Sequence, residues 1–213
     1  AMTYAMLGDF IETVGRADDD PSTTVLVITG VPGAFCAGTD LADLATVPGE
    51  VRGLRGEAEE RHKWWPIAQA RKPTIGAIDG PAVGMGAEFS SQCDLRLAST
   101  QARFAWNFVH RGLVPDTGAG TWLLPRIVGL QPALRLLYTG EMIDAAEALR
   151  LGYVLDVVPS EDLLAAAMQL ADTIASGSPH SLGLVKSLVN EGLTSPVGDH
   201  MARHTAALAA CFK

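Results

Sequence analysis

Three short apolar runs, residues 24–29, 74–78 and 95–98, each stop against a glycine, aspartate or serine and are too short for helices. Between the second and third lie a glycine-rich turn, with Gly80, Pro81, Gly84 and Gly86, and one helix-length segment. Strand, helix and strand in repetition predict parallel pairing through right-handed crossovers, the hand that packs a connecting helix back on a twisted sheet. Ahead of the first run, Met6, Leu7, Phe10, Ile11 and Val14 share one helical face, and Asp18-Asp19-Asp20-Pro21 ends that helix. A variable stretch over 46–56 leads into a helix through Trp64 and Trp65 that Pro66 breaks or kinks. From Gln131 the pattern is mainly helical, interrupted at 154–158, with helices near 160–176, 179–192 and 197–211 forming a tail that packs on the core or on a neighbouring subunit. The expected organisation is an α/β core over 1–130 and a mainly helical region over 131–213.

The net charge of −8, with no Lys/Arg run, argues against a nucleic-acid binder, so an anionic ligand must be met locally. No apolar run approaches the ~18 residues of a membrane span. Cys36, Cys93 and Cys211 form no CxxC pair and leave an odd thiol, which points to a reducing compartment and, by default, the cytoplasm.

Chemistry is concentrated in two turns of small residues, Phe35-Cys36-Ala37-Gly38-Thr39-Asp40-Leu41 and Gly80-Pro81-Ala82-Val83-Gly84-Met85-Gly86-Ala87-Glu88. An N–H at the mouth of each, the second at the start of a helix, can stabilise one negative oxygen, such as that of a thioester enolate. Two carboxylates accompany them. Glu88 lies in the first turn of the helix, either as a proton-transfer group or as a solvated carboxylate favoured by the macrodipole. Asp116 is either a proton-transfer group or the N-cap of a helix entering through Gly118-Ala119-Gly120. Trp106, Phe108 and Trp122 line an apolar pocket or are plain core. His110 could touch Asp116 or be an exposed loop residue. His200 and His204, at i and i+4, lack a third ligand and read as a solvated helix face, so no metal is assigned. Gly84-x-Gly86 lacks the third glycine of a dinucleotide fingerprint, and Cys36 reads as a small packing residue.

These turns, with Val25 to Gly30, Lys72-Pro73-Thr74, Cys93-Asp94-Leu95-Arg96, Gly112-Leu113-Val114-Pro115-Asp116, Trp122-Leu123-Leu124-Pro125-Arg126 and Thr139-Gly140-Glu141, resemble in order and spacing the crotonase superfamily of enoyl-CoA hydratases and isomerases. The resemblance implies a ββα-superhelix with a helical C-terminal region, and a trimer or dimer of trimers. It implies an acyl-CoA substrate with no separate cofactor, since coenzyme A is part of the substrate. It makes the backbone N–H groups of Thr39 and Met85 the oxyanion donors and lays the ligand along Ala37, Gly38, Asp40, Leu41 and Gly86. By the same likeness an opening β-hairpin precedes the first helix and the chain runs on past Lys213, so both ends read as cut.

Glu88 matches a catalytic glutamate of the hydratases, and Asp116 the acid/base carboxylate of some isomerases and the nucleophile of aryl-CoA dehalogenases. The departure is Phe108, which stands where the hydratases carry a second glutamate that helps hold water. The run Gly118-Ala119-Gly120-Thr121 is one residue longer than usual. Ala42 and Asp43 stand where a lysine often follows the first turn, leaving phosphate contacts to groups such as Arg52 or Arg55. Isomerisation needs only one base, so the expectation is double-bond migration with Asp116 as proton shuttle and Glu88 as helper. Hydration by Glu88 and Asp116, nucleophilic attack by Asp116 and a non-catalytic scaffold are the alternatives.

Overall fold

A single strand buried along its whole length, β2 (Thr74–Ile78), organises the larger sheet. The computed structural model describes residues 1–46 and 64–212. The other strands are β1 (Leu26–Thr29), β3 (Pro81–Val83), β4 (Leu95–Ser99), β5 (Arg103–Ala105), β6 (Ile143–Asp144) and β7 (Asp156–Val158). The described helices are α1 (Tyr4–Asp19), α2 (Leu41–Ala45), α3 (Met85–Gln92), α4 (Ala119–Trp122), α5 (Leu124–Val128), α6 (Leu130–Thr139), α7 (Ala145–Arg150), α8 (Leu163–Ala175), α9 (Pro179–Gly192) and α10 (Val197–Ala210). Most of the stretch over 46–56, with Arg52 and Arg55, and the lead-in to Trp64 lie outside the described residues. Trp64 itself is in 3₁₀ geometry and Pro66 begins a turn.

The four-stranded sheet runs β1-β2-β4-β7, parallel throughout, with Leu26 beside Thr74, Ile75 beside Leu95 and Leu97 beside Asp156. Strands covered on both faces read as continuous apolar runs, as β2 does. One face is covered by α8 through Leu163, Ala167 and Ala171, which pack on Ile75, Ala77 and Leu97. At Gly76 a Cβ would stand 3.0 Å from the Cys93 sulfur, so the glycine lets the end of α3 lie close to the sheet.

The second sheet, β3-β5-β6, was not apparent from residue pattern. Its first strand is the Pro81–Val83 segment between two glycines, read from sequence only as part of a turn; β3 pairs in parallel with β5, and β6 pairs antiparallel. Proline is tolerated there because it opens the strand. Behind this sheet Phe104, Trp106, Tyr153, Leu124 and Leu136 form the main core, with Tyr153 edge-on to both Phe104 and Trp106. Beyond residue 131 the chain supplies β6 and β7, an edge to each sheet.

Along α1, Leu7 and Val14 are buried as the periodicity predicts, whereas Met6 is 54% exposed and does not join that face's core. Thr3 caps the helix by accepting from Met6 N–H at 3.2 Å. The tail helices α9 and α10 carry no buried residue. Lys186 fastens α9 to the sheet by pairing with Asp94 at 2.8 Å and donating to the Lys72 carbonyl at 3.0 Å.

Candidate active site

The two small-residue turns meet through their backbones. Cys36 N–H donates to the Pro81 carbonyl and Val83 N–H to the Cys36 carbonyl, each at 2.9 Å, so the first turn runs beside β3 like an added strand. On its other side Met2 donates to the Gly38 carbonyl and Asp40 N–H to the Met2 carbonyl, both at 2.8 Å. Gly38 has φ +99°, and a Cβ there would stand 3.0 Å from the Val83 oxygen and 3.9 Å from Met85 N. Gly86 is the closer constraint, since its Cβ would collide with the Cys36 carbonyl. Thr39 and Met85 are thereby brought together, with Thr39 Oγ1 4.0 Å from the Met85 sulfur. Neither residue's backbone N–H donates to a carbonyl among the described residues. The Met85 N–H opens α3, where the helix leaves its first amides unpaired and its dipole positive.

Glu88 is not the solvated helix carboxylate that its position allowed: it is fully buried. Thr117 Oγ1 donates to its Oε2 at 2.7 Å. The Ala119 and Gly120 amides face the carboxylate and favour its charge, although neither closes a regular hydrogen bond to Oε1. Loss of hydration outweighs them, and with a smaller push from Asp116 the pKa rises from 4.5 to about 7.

That shift has a consequence for stability. Between the two pKa values the folded protein binds more protons than the unfolded chain, so stability falls as pH rises from about 4.5 through about 7. The burial of Glu88 accounts for on the order of 3 kcal/mol of that loss. We expect denaturant titrations at pH 5 and pH 8 to show the decline in the wild type, and Glu88→Gln to lack the Glu88 share of it. An equal decline in the variant would show that Glu88 does not titrate in this window.

Asp116 is not a helix cap. The N-cap of α4 is Gly118, in left-handed geometry at φ +81° with no side-chain cap bond. Freed from that role, the Asp116 carboxyl keeps solvent-facing surface while neighbouring groups strip part of its hydration, which lifts its pKa from 3.8 to about 6. Its charge also raises Glu88 and the Cys36 thiol, placing it within electrostatic reach of both turns. The His110 ring packs against Gly140 at the end of α6.

The aromatic residues divide. Phe108 is 7% exposed, and its ring tip lies 3.9 Å from where a Cβ on Gly84 would stand, beside the meeting point of the turns. Trp106 is wholly buried in the core cluster. Trp122 is 43% exposed, with the Arg126 guanidinium 3.6 Å above its ring. Leu41 is exposed at the first position of α2, and Ala37 is exposed within the first turn. The Asp40 side chain caps α2 through Ala42 and Asp43 N–H groups at 3.0 and 3.1 Å, leaving its backbone for any ligand. Asp43, where a lysine was expected by resemblance, accepts from Tyr4 N–H at 2.6 Å and so joins α2 to the start of α1.

Two residues of the site were missed. Thr117 holds Glu88, and Trp65 Nε1 holds the Thr117 carbonyl at 2.6 Å. Only the Asp-Thr-Gly turn itself could have pointed to Thr117. Among the described residues there is no group of three His, Cys, Asp or Glu placed to hold a metal. No described helix is long and apolar enough to cross a membrane.

The parallel-sheet α/β frame that carries these turns and carboxyls is shared with known proteins. The family described as enoyl-CoA hydratase/isomerase matches residues 1–211. A short-chain-enoyl-CoA hydratase of Clostridium acetobutylicum is 33% identical over all of this chain and 81% of its own length. The 1,2-epoxyphenylacetyl-CoA isomerase of Escherichia coli is 35% identical over 90% of this chain and 73% of that protein. The crystal structure of an enoyl-CoA hydratase from Bacillus anthracis superposes with a TM-score of 0.90 at 31% identity, covering 98% of this chain and 80% of that one. The chain belongs to the enoyl-CoA hydratase/isomerase family of the crotonase superfamily, and is an enzyme of the lyase or isomerase kind.

Proposed function

We propose that this chain moves a double bond along an acyl-CoA thioester, with Asp116 as the proton shuttle. Asp116 takes a proton from a carbon next to the enoyl system, and the electron pair flows to the thioester oxygen. The Thr39 and Met85 N–H groups hold that negative oxygen, and Asp116 returns the proton at the other end of the dienolate. Glu88, protonated near neutral pH, serves as a second acid. The observation that carries the reading is Phe108, whose ring lies beside the turns where a second glutamate would be needed to hold water. A phenyl ring cannot orient or deprotonate water.

The coenzyme A part of the substrate supplies the only non-protein group in this reading. Its adenine rests on exposed Leu41 and its pantetheine on the backbone of Ala37, Gly38 and Asp40. The exposed apolar residues of the tail, among them Val185, Val189, Val197 and Met201, support assembly as a trimer or dimer of trimers. Cysteine usage supports a reducing, cytoplasmic location.

Active enzyme in this account has Asp116 ionised and Glu88 protonated. The rate of migration should therefore rise through about pH 6 and fall through about pH 7, the two limbs belonging to the coupled pair. Glu88→Gln should remove the alkaline limb.

One observation favours a second reading, hydration: the Asp116 charge reaches Glu88, so the two carboxyls could hold a water between them. Product analysis with 2-enoyl-CoA and 3-enoyl-CoA thioesters separates the two. Interconversion of the double-bond isomers is expected. Accumulation of 3-hydroxyacyl-CoA in its place would establish hydration and set aside the isomerase reading.

A further inference from the structure

Two buried polar atoms of the site make no hydrogen bond among the described residues, Glu88 Oε1 and Trp106 Nε1. Both side chains are 0% exposed. They converge on α4: Glu88 Oε1 and Trp106 Cδ1, the atom bonded to Nε1, both lie within 3.0 Å of the point where a Cβ on Gly120 would stand. An indole N–H and a carboxylate oxygen that are sealed from bulk solvent and make no hydrogen bond each carry an unmet desolvation cost. The small molecule that accepts from an N–H and donates to a carboxylate is water, and buried waters occur where such groups face one another. We propose that one bound water joins the Trp106 indole N–H to Glu88 Oε1, and that Trp106, acting through it, is a positioning residue that sets the protonation state of Glu88.

The surroundings leave this role open to Trp106. Thr117 occupies Oε2, and the Ala119 and Gly120 amides on α4 face the carboxylate. Asp116, from the loop before α4, is the titratable group that acts on Glu88, and its charge opposes ionisation. Tyr153 lies edge-on to Trp106 at 5.2 Å, but its hydroxyl is engaged by Ser90 and Ser91 and its ring lies under the Arg96 guanidinium. A water that accepts from the indole and donates to Oε1 supports charge on Glu88 and has a lone pair already spent. Its place is that of a charge-holding group, not of the nucleophile in a hydration.

The functional meaning of the inference rests on Glu88 working in the proposed reaction, but its test needs no turnover. Indole N–H resonances of the ¹⁵N-tryptophan-labelled protein are followed from about pH 5 to about pH 9, with Trp106→Phe assigning the Trp106 signal. Glu88 is followed in parallel through its labelled side-chain carboxyl. The Trp106 resonance should shift with the Glu88 midpoint, and the shift should vanish in Glu88→Gln. In Trp106→Phe, which keeps a ring but loses the donor, the Glu88 midpoint should rise by about half a pH unit or more. A Trp106 resonance that stays fixed while Glu88 titrates in the wild-type protein would overturn the proposal, and substitution of Trp64, Trp65 and Trp122 in turn assigns that resonance even where Trp106→Phe does not fold. An unmoved Glu88 midpoint in a folded Trp106→Phe would overturn it equally. If double-bond migration proved absent while the Trp106 resonance titrated with Glu88, the isomerase reading would fail and the water bridge would stand.

Discussion

Asp116→Asn is expected to slow double-bond migration by about 10²- to 10⁴-fold, the range associated with loss of a positioned general base. The amide keeps the size of the carboxyl but cannot take the proton. The variant should fold normally, because Asp116 caps no helix: Gly118 starts α4 by its own left-handed conformation. Substrate affinity should be nearly unchanged, so the loss should fall on kcat and not on KM. A loss carried by KM would instead make Asp116 a binding group. The acid limb of the pH profile, set by a carboxyl lifted to about 6, should disappear with it. Steady-state kinetics of wild type and variant across pH measure all of these.

Gly86→Ala is expected to remove activity by separating the two turns, and to cost about 3 kcal/mol or more of stability. The added methyl would occupy the position of the Cys36 backbone carbonyl, which cannot rotate away as a side chain could. That carbonyl also accepts from Val83 N–H, so moving it breaks the join between the first turn and β3. If the protein yields by shifting Cys36, the Thr39 N–H moves with it, and an oxyanion needs donors placed to within a few tenths of an ångström. Gly8→Ala is the control, since a Cβ there meets nothing within 4 Å. Thermal unfolding and turnover of the two variants test the claim, and an active, stable Gly86→Ala would contradict it.

What the residues revealed in advance, and what they hid, follows from the range of the forces involved. The tail helices α8, α9 and α10 fall within a few residues of expectation because periodicity, the Ser178 cap with Pro179 and the Pro196 break are local signals. Strand β2 was legible because a strand covered on both faces has only apolar or small residues to offer. By contrast, β3 has three residues and is a strand only because β5 lies beside it. The burial of Glu88 was hidden for the same reason. Its own turn would suit a solvated carboxylate, and what closes over it is Thr117, 29 residues away. Asp116 misled in the opposite direction: an aspartate two residues before a glycine-led helix looks like a cap, but the glycine supplies the turn. Trp122 was readable as pocket wall or plain core, and it is not core: it is part-exposed, with the Arg126 guanidinium over its ring.

Proton transfer by Asp116 between two carbons of one acyl chain is the step on which the proposed function turns. It is tested most directly by mass spectrometry of 2-enoyl-CoA and 3-enoyl-CoA thioesters incubated in heavy water with the wild-type enzyme and with Asp116→Asn. Deuterium incorporation and double-bond migration with no added water mass, both lost in the variant, are the expected result. Addition of heavy water across the double bond, or incorporation that persists undiminished in Asp116→Asn, would contradict it.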